Sequence, residues 1–280
     1  MDIGFGLPSA VPGAAAGSVV DGARRAELRG FASLGVLDRL CYDSFDSIAV
    51  LAAAAAVTSS VRLTASTVVP VYRGSVAVLA KQLASVAALA GDRLVLGIGA
   101  GGRAEDFKAA GVDYHRRGRL LEQLLPELQA GWSDFTAGGP RPAAVPPIVL
   151  GGRAPKTFER VARYADGWIA AGASAGLFAP AAAEVVRSWE RYGRAGAPRL
   201  MSIGYYALGP DADDVARRYL MDYYAFLGPA AKMLAAGALT SEEAVRRTCR
   251  EMADAGCQEL LLFPCSADAD QVDQLADAVF

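Results

Sequence analysis

The segment from Pro146 to Thr157, PPIVLGGRAPKT, combines several features that suit an anionic ligand. An apolar run ends in Gly151 and Gly152, and a helix is predicted to begin near Pro155, where the missing N–H of proline is harmless. Free N–H groups at a helix N-terminus attract phosphate, and the guanidinium of Arg153 can assist them. We therefore predict a phosphate site in this segment. The alternative is a plain strand-to-helix loop with solvated basic side chains.

A second glycine-rich turn, GIGAGG at positions 97–102, matches the GxGxxG pattern of dinucleotide-binding folds. In those folds the glycines follow the first strand, and an acid about 20 residues later ends the next strand. Here the turn follows the fourth predicted strand, and Glu122 lies within a helix that has leucines at helical spacing. The sequence therefore disfavours a Rossmann site, and the glycines serve either a different cofactor or only the turn.

Side chains for metal binding or nucleophilic catalysis are scarce in this sequence. His115 is the single histidine, and its position beside two arginines favours a solvated or capping role over that of a base. The four cysteines, at positions 41, 249, 257 and 265, show no CxxC spacing. We therefore expect no metal site and no Ser-His-Asp triad, and residue types alone identify no catalytic residue.

The composition argues against several further classes of protein. The 280 residues include 28 Lys and Arg against 30 Asp and Glu, a formal charge of −2, which argues against a nucleic-acid partner. With 53% hydrophobic residues the chain is too apolar for disorder. The longest uncharged apolar run, Ile48–Val57, is about half as long as a membrane span. The N-terminus also lacks a basic stretch before an apolar one. We therefore expect a cytoplasmic protein with reduced cysteines and without a membrane partner.

Short β-type runs recur along the chain, and helical stretches separate them. Eight strands alternating with helices are typical of an α/β protein with the (β/α)8 TIM-barrel fold, and we predict one such domain over residues 1–280. A doubly wound open sheet is the alternative, although it needs fewer βα units. The predicted strands are Asp2–Leu7, Leu34–Asp38, Val61–Val69, Arg93–Gly99, Pro147–Gly151, Asp166–Ala171, Leu200–Leu208 and Glu259–Pro264.

The carboxyl ends of the strands, where TIM-barrel sites lie, are dominated by glycine. Glycine lets a ligand approach the backbone closely, which favours a flat, phosphorylated cofactor over a small polar substrate. Tyr205 and Tyr206 on the seventh strand must point to opposite faces, one into the barrel and one toward the helices.

Two of the predicted helices, within residues 45–59 and 75–90, have almost no polar face. An outer helix of a monomeric barrel should have a solvated side, so we predict a homodimer that packs through these two helices. The alternative is that alanine is present only as a strong helix former. The predicted helices are Val20–Ser33, Phe45–Ser59, Ser75–Ala90, Tyr114–Gly131, Ala154–Ala165, Asp211–Phe226 and Ser241–Ala255.

Several of these segments together resemble a known family. The stretch from Asp46 to Leu125, which contains DSIAVLAAAAAVTSS and RLVLGIGAGG, and the segment PPIVLGGRAPKTFERVARYADGWI are similar to the luciferase-like monooxygenases. These are TIM-barrel proteins that use FMN or the deazaflavin F420. The tail GCQELLLFPCSADADQVDQLADAV is similar to the last βα unit of that family, so the resemblance covers most of the chain.

The resemblance implies a homodimer with a flavin-type cofactor at the barrel mouth. Its ring would lie against the ends of the first four strands, and its phosphate would lie after the fifth. Some relatives have a non-prolyl cis peptide after the third strand, and here that bond would join Thr67 and Val68. The implied cofactor-binding residues are Gly6, Asp38, Thr67, Val68, Gly99, Ala100, Gly101, Gly151, Gly152 and Arg153.

The sequence also departs from the family at positions that bear on catalysis. Many relatives have a histidine where this chain has Arg39, and F420-dependent sugar dehydrogenases have a glutamate where it has Gly102. The segment 133–145 is shorter than in many relatives. The cofactor scaffold is therefore implied by the resemblance, but no acid or base residue is.

Three functions remain open at this stage. The first is a monooxygenase that uses O2 and reduced FMN, supplied by a separate flavin reductase, on a small organic substrate. The second is an F420-dependent reductase or dehydrogenase that transfers hydride, for which Arg103, Lys108, Arg116 and Arg117 could bind the long anionic tail of F420. The third is a non-catalytic member that binds flavin without turnover.

Overall fold

The computed structural model describes residues 1–133 and 145–280, and within them eight parallel strands close into a barrel. Neighbours in the barrel follow chain order, and β8 pairs back onto β1. The predicted (β/α)8 TIM barrel is therefore confirmed, and the open doubly wound sheet is wrong. The strands are β1 (Asp2–Gly6), β2 (Ser33–Val36), β3 (Arg62–Ala65), β4 (Leu94–Gly99), β5 (Ile148–Gly151), β6 (Gly167–Ala171), β7 (Arg199–Tyr206) and β8 (Glu259–Pro264).

Helices surround the barrel and connect its strands. They are α1 (Ala16–Leu28), α2 (Ser47–Val57), α3 (Val76–Ala90), α4 (Ala104–Ala109), α5 (Arg117–Ser133), α6 (Pro155–Tyr164), α7 (Ala175–Arg191), α8 (Ala212–Tyr223), α9 (Ala231–Ala236), α10 (Glu242–Asp254) and α11 (Asp270–Val279). Short 3₁₀ turns span Pro70–Tyr72, Tyr114–Arg116 and Ala225–Ala230. In the described part of the chain, no helix has both the length and the apolar character needed to cross a membrane.

Alternating side chains of each strand divide the hydrophobic core into two layers. Leu260 and Leu262 of β8 pack against the helices, whereas Leu261 and Phe263 fill the barrel interior. This period-two pattern places Gly99 of β4 and Gly151 of β5 on the inward side of the barrel. The inward glycines matter because they decide where the interior stays open.

Several predicted boundaries differ from the structure. The helix predicted at Val20–Ser33 ends at Leu28, because Gly30 takes a positive φ of 86° and Ser33 already belongs to β2. The third strand ends at Ala65, whereas the apolar pattern continues to Val69. Helix α7 lies in a stretch for which no helix was predicted.

One cis peptide bond other than X-Pro follows β3, as the resemblance implied, but its position is one residue earlier. It joins Ser66 and Thr67. The expectation of a cis bond between Thr67 and Val68 is therefore wrong. The short segment 133–145, which also departed from the family, lies almost entirely outside the described residues.

Candidate functional site

A cavity of about 430 Å³ opens at the carboxyl ends of the strands. Residues at the ends of β2 to β7 line it, together with side chains from α5 and from the end of α8. This volume lies within the range of roughly 300–1,000 Å³ that small-molecule sites occupy. The cavity is therefore at the position where TIM-barrel enzymes have their active sites.

Eight of the ten residues implied by the resemblance line this cavity. Gly6 and Val68 do not line it. A Cβ on Gly6 would lie 2.2 Å from Cδ1 of Phe263, so this glycine makes room for a core ring. Val68 is only 1% exposed and pairs with Ile98 of β4. The eight lining residues are Asp38, Thr67, Gly99, Ala100, Gly101, Gly151, Gly152 and Arg153.

Backbone and the side chain of Thr67 form one wall of the cavity. A Cβ on Gly99 would lie 2.5 Å from the Thr67 Oγ1 atom, and a Cβ on Gly151 would lie 3.1 Å from its Cγ2 atom. A side chain at Gly99 would force Thr67 to move, and one at Gly151 would make a tight contact with it. The result is a surface without protruding side chains at these positions, which suits a flat ring.

The turn between β5 and α6 has several features that suit an anion. Gly152 has a φ of 130°, and its carbonyl oxygen accepts a hydrogen bond of 2.8 Å from the Trp168 indole N–H. Helix α6 begins at Pro155 without a capping side chain, so the N-terminus keeps its positive partial charge. Arg153 is exposed at the cavity and has no ion pair with a carboxylate in the described ranges. These features fit the predicted phosphate site.

The Asp38 carboxylate, the only acidic group among the described lining residues, is fully engaged. Oδ1 accepts a hydrogen bond of 2.7 Å from Ser47 Oγ and pairs with Arg73, while Oδ2 accepts one of 2.9 Å from the Val69 N–H. Tyr72 donates a further bond of 3.3 Å to Oδ2. Asp38 therefore fixes the loop after β3 to β2 and α2, and it has no lone pair left to act as a base.

Arg39 stands where many relatives have a histidine, and its side chain is only 4% exposed. Its Nε atom lies 3.2 Å from an Asp106 oxygen and its Nη2 atom 3.2 Å from a Glu105 oxygen. The guanidinium also lies over the Tyr42 ring, 4.7 Å from its centre. Two carboxylates and an aromatic ring therefore hold the Arg39 side chain in place.

Tyrosines line the side of the cavity next to β7. Tyr205 points inward and its hydroxyl lies 2.8 Å from that of Tyr224, whereas Tyr206 points outward and donates to the Gln271 carbonyl of α11. The predicted opposite orientation of Tyr205 and Tyr206 is confirmed. Burial raises the pKa of Tyr205, so its hydroxyl stays protonated at neutral pH.

Sequence analysis did not single out Tyr223 and Tyr224 as site residues, although both line the cavity. They lie at the end of α8, and no local pattern marks a helix end as part of a site. Arg103 after β4 also lines the cavity, with its guanidinium centre 4.5 Å from the centre of the Tyr223 ring. The signal that could have located the tyrosines is the run YLMDYYAF, which is rich in aromatic residues.

The other basic residues considered from sequence lie in different places. Arg117 lines the cavity, whereas Lys108 and Arg116 are exposed and outside its lining. His115 is exposed on the 3₁₀ turn before α5. Among the described residues, no group of three or more His, Cys, Asp or Glu side chains is arranged to hold a metal ion.

The fold and the site together define a TIM-barrel protein with a cofactor-sized cavity that combines a glycine-lined wall and an anion site. The family model of the luciferase-like monooxygenases matches residues 1–278, and the chain belongs to this family. The predicted family resemblance is confirmed.

Three known proteins show the range of the similarity. An uncharacterized protein of Mycobacterium tuberculosis is 31% identical over 183 residues, which cover 60% of this chain and 63% of that protein. An F420-dependent secondary alcohol dehydrogenase in complex with an F420-acetone adduct has a TM-score of 0.84 at 17% identity, covering 99% of this chain and 98% of that chain. The oxygenating constituent of 3,6-diketocamphane monooxygenase from Pseudomonas putida, in complex with FMN, has a TM-score of 0.72 at 14% identity, covering 100% and 99%. At these identities the two solved structures show a shared fold, and one is an F420-dependent protein while the other binds FMN.

Proposed function

We propose that this protein is a flavin-dependent monooxygenase that acts on a small organic substrate with reduced FMN and O2. The observation that carries the proposal is the combination of an anion site and a glycine-lined wall with the lack of a free acid or base in the described lining. Asp38 is engaged, Arg39 is a fixed cation, and the remaining protic groups include tyrosine hydroxyls. Such a site needs a cofactor that performs the chemistry itself.

The cavity has residues suited to the phosphate of FMN and others suited to its ring. The N–H groups at the start of α6, together with Arg153, would bind the phosphate. The wall at Thr67, Gly99 and Gly151 would support the ring, because a side chain at Gly99 would force Thr67 to move and one at Gly151 would make a tight contact with it. Bound reduced FMN supplies two electrons to O2, so that one oxygen atom enters the substrate and the other leaves as water.

The remaining side chains of the cavity would position the substrate and exclude water. Tyr205 and Tyr224 form a hydrogen-bonded pair whose hydroxyls can donate to a polar group of the substrate. Apolar side chains of β6 and β7, Ile169 and Ile203, line the same cavity. A separate flavin reductase would supply the reduced FMN.

The test is a titration of the protein with FMN, followed by flavin fluorescence. We expect Arg153→Ala to weaken FMN binding by about tenfold, since it removes a charged partner of the phosphate. Arg163→Ala, at the other end of the same helix, is the matched control and should leave the affinity unchanged. Failure of the protein to bind FMN or F420, or equal effects of the two variants, would overturn the assignment.

An F420-dependent hydride transfer is the second candidate, and the cations beyond the phosphate site favour it. Arg103 and Arg117 both line the cavity, and F420 has a long anionic tail that needs such partners. Parallel titration with F420 and measurement of O2 consumption separate the two reactions, because hydride transfer consumes no oxygen. Binding of either cofactor without turnover in a substrate screen would instead support the non-catalytic alternative.

We also propose that the protein is a homodimer that packs through α2 and α3. On α3, Val78 is 55% exposed and Leu89 is 60% exposed. On α2, Ala49 and Ala56 are exposed, and the two helices pack side by side. Exposed apolar side chains on two adjacent helices favour a surface that another protein chain covers. Light scattering should give the mass of a dimer, and Leu89→Asp should shift it toward the monomer.

A further inference from the structure

Arg103 has an unusual environment for a cationic side chain. Its guanidinium lies at the cavity among three aromatic rings, with its centre 4.5 Å from the centre of the Tyr223 ring, 4.7 Å from that of Phe226 and 5.5 Å from that of Tyr224. Over residues 1–133 and 145–280, no carboxylate oxygen lies within ion-pair distance of it. The charge therefore lies among ring faces and has no anionic partner in the described part of the chain.

Two N–H groups of Arg103, at Nε and Nη2, are shielded from solvent and have no hydrogen-bond partner in the described structure. Arg62, Arg73 and Arg160 each have a similar unpaired Nε atom. Each of these three arginines nevertheless pairs with a carboxylate through another nitrogen. Arg103 differs from them because both its charge and its hydrogen-bond donors are unmatched.

The two unpaired nitrogens of Arg103 lie on the same edge of the guanidinium. Nε–H and Nη2–H are parallel there, and their spacing matches the two oxygens of a carboxylate. Ring faces stabilise a cation, but they satisfy no N–H group in the way that an oxygen does. A ligand carboxylate is therefore the acceptor that fits this edge.

We infer that Arg103 binds the carboxylate of a small aromatic or conjugated organic acid, and that this acid belongs to the substrate class of the enzyme. The inference rests on the function proposed above. The phosphate site lies after β5, whereas the rings around Arg103 belong to α8 and the following 3₁₀ turn, so the two anion sites use different elements. The flat rings of Tyr205, Tyr223 and Tyr224 would contact the body of the acid.

Phe226 is the most exposed of the three rings around Arg103. It is 38% exposed on the turn Ala225–Ala230, which contains Gly228 at a φ of 56°. Because this ring lies at the surface, its displacement would expose the part of the guanidinium that it contacts. The acid then replaces a ring contact with a charged bidentate hydrogen bond.

The experiment measures binding of benzoate and cinnamate to the full chain by calorimetry, with benzamide and cinnamamide as neutral counterparts of the same shape. Wild type should bind at least one acid at least tenfold more tightly than its amide. Arg103→Met should abolish this preference while leaving FMN affinity unchanged. Arg103→Lys retains the charge but lacks the paired N–H edge, and it should reduce the preference at least threefold. Arg117→Met, at another arginine of the cavity, is the control and should leave the preference for the acid unchanged.

Three results would overturn the inference. The first is that neither acid binds wild type better than its amide. The second is that Arg117→Met removes the preference as fully as Arg103→Met. The third is that Arg103→Met weakens FMN or F420 binding and leaves acid binding intact, which would assign Arg103 to the cofactor. Because the acids are titrated without cofactor, failure of FMN to bind would overturn the proposed function separately.

Discussion

Two charged sites at opposite ends of the barrel differ in whether an oppositely charged partner matches them. At the amino ends of the strands, Glu259 is fully buried, pairs with Arg62 and Arg199, and accepts a hydrogen bond of 2.5 Å from Ser33 Oγ. At the carboxyl ends, Arg103 lies among aromatic rings, with no carboxylate within ion-pair distance in the described parts of the chain. Glu259 is therefore matched by two arginines, whereas Arg103 has no carboxylate partner among the described residues.

This difference separates charges that serve the fold from charges available to a ligand. A buried ion pair with its hydrogen bonds made contributes to one fixed arrangement, and removal of one partner is costly. A half-buried cation without an acceptor gives the folded chain little electrostatic benefit, so its removal should cost the fold little. The following predictions test this contrast through the free energy of unfolding.

The largest effect is expected for Glu259→Gln. The change leaves Arg62 and Arg199 without their shared buried carboxylate, and we expect the free energy of unfolding to fall by about 3 kcal/mol. Urea unfolding followed by circular dichroism measures it. Asp2→Asn is the control, because Asp2 pairs with the same Arg62 from a half-exposed position and should cost less than about 1 kcal/mol. Equal small losses in both variants would show that burial of the pair is unimportant.

A smaller effect is expected at Glu27, which also lies near the amino ends of the strands. Burial alone would raise its pKa, but hydrogen bonds from the backbone N–H groups of Ser60, Val61 and Ser59 lower the pKa to about 2. The carboxylate therefore stabilises the fold above its unfolded-state pKa near 4.5, and this contribution is lost as the pH falls toward 2.

The variant Glu27→Gln tests this assignment at two pH values. At pH 7 it should lower the free energy of unfolding by about 1–2 kcal/mol, after allowance for solvent screening. The difference between wild type and variant should shrink as the pH falls from 5 to 2. A difference that is constant over this range would rule out ionisation of Glu27 as its source.

The smallest effect is expected for Arg103→Met. Methionine retains much of the aliphatic length and can pack among Tyr223, Tyr224 and Phe226, so the free energy of unfolding should change by less than about 1 kcal/mol. The same urea titration measures it. A loss above about 2 kcal/mol would place Arg103 with Glu259 as a group that holds the fold together, and the contrast between the two ends would fail.

Much of the fold could be predicted from sequence because parallel barrel strands are buried on both faces. Such strands appear as short continuous apolar runs, and ELLLFP of β8 is one of them. The boundary after β3 was missed because the apolar run continues beyond Ala65, where regular pairing gives way to an isolated bridge between Val68 and Ile98. A local pattern of hydrophobic residues does not record where hydrogen bonding to the neighbouring strand stops.

The candidate site was predictable where backbone forms it. Residue type alone marks the glycines after β4 and β5 as candidate site residues, and both turns line the cavity. Gly6 shows the limit of that signal, since the same residue type makes room for the Phe263 ring there. Residue type shows that a side chain is missing, and only the surrounding structure shows whether a ligand or a core ring occupies the space.

Sequence by itself therefore determined the barrel, the family and the glycine turns, because these depend on periodicity, residue type and local order. Only the tertiary structure decided that Asp38 is locked by Arg73, that Tyr205 and Tyr224 share a hydrogen bond, and that Arg103 has no anionic partner in the described chain. These facts depend on contacts between residues far apart in the chain, since closing the barrel brings strand ends and helix ends to one mouth.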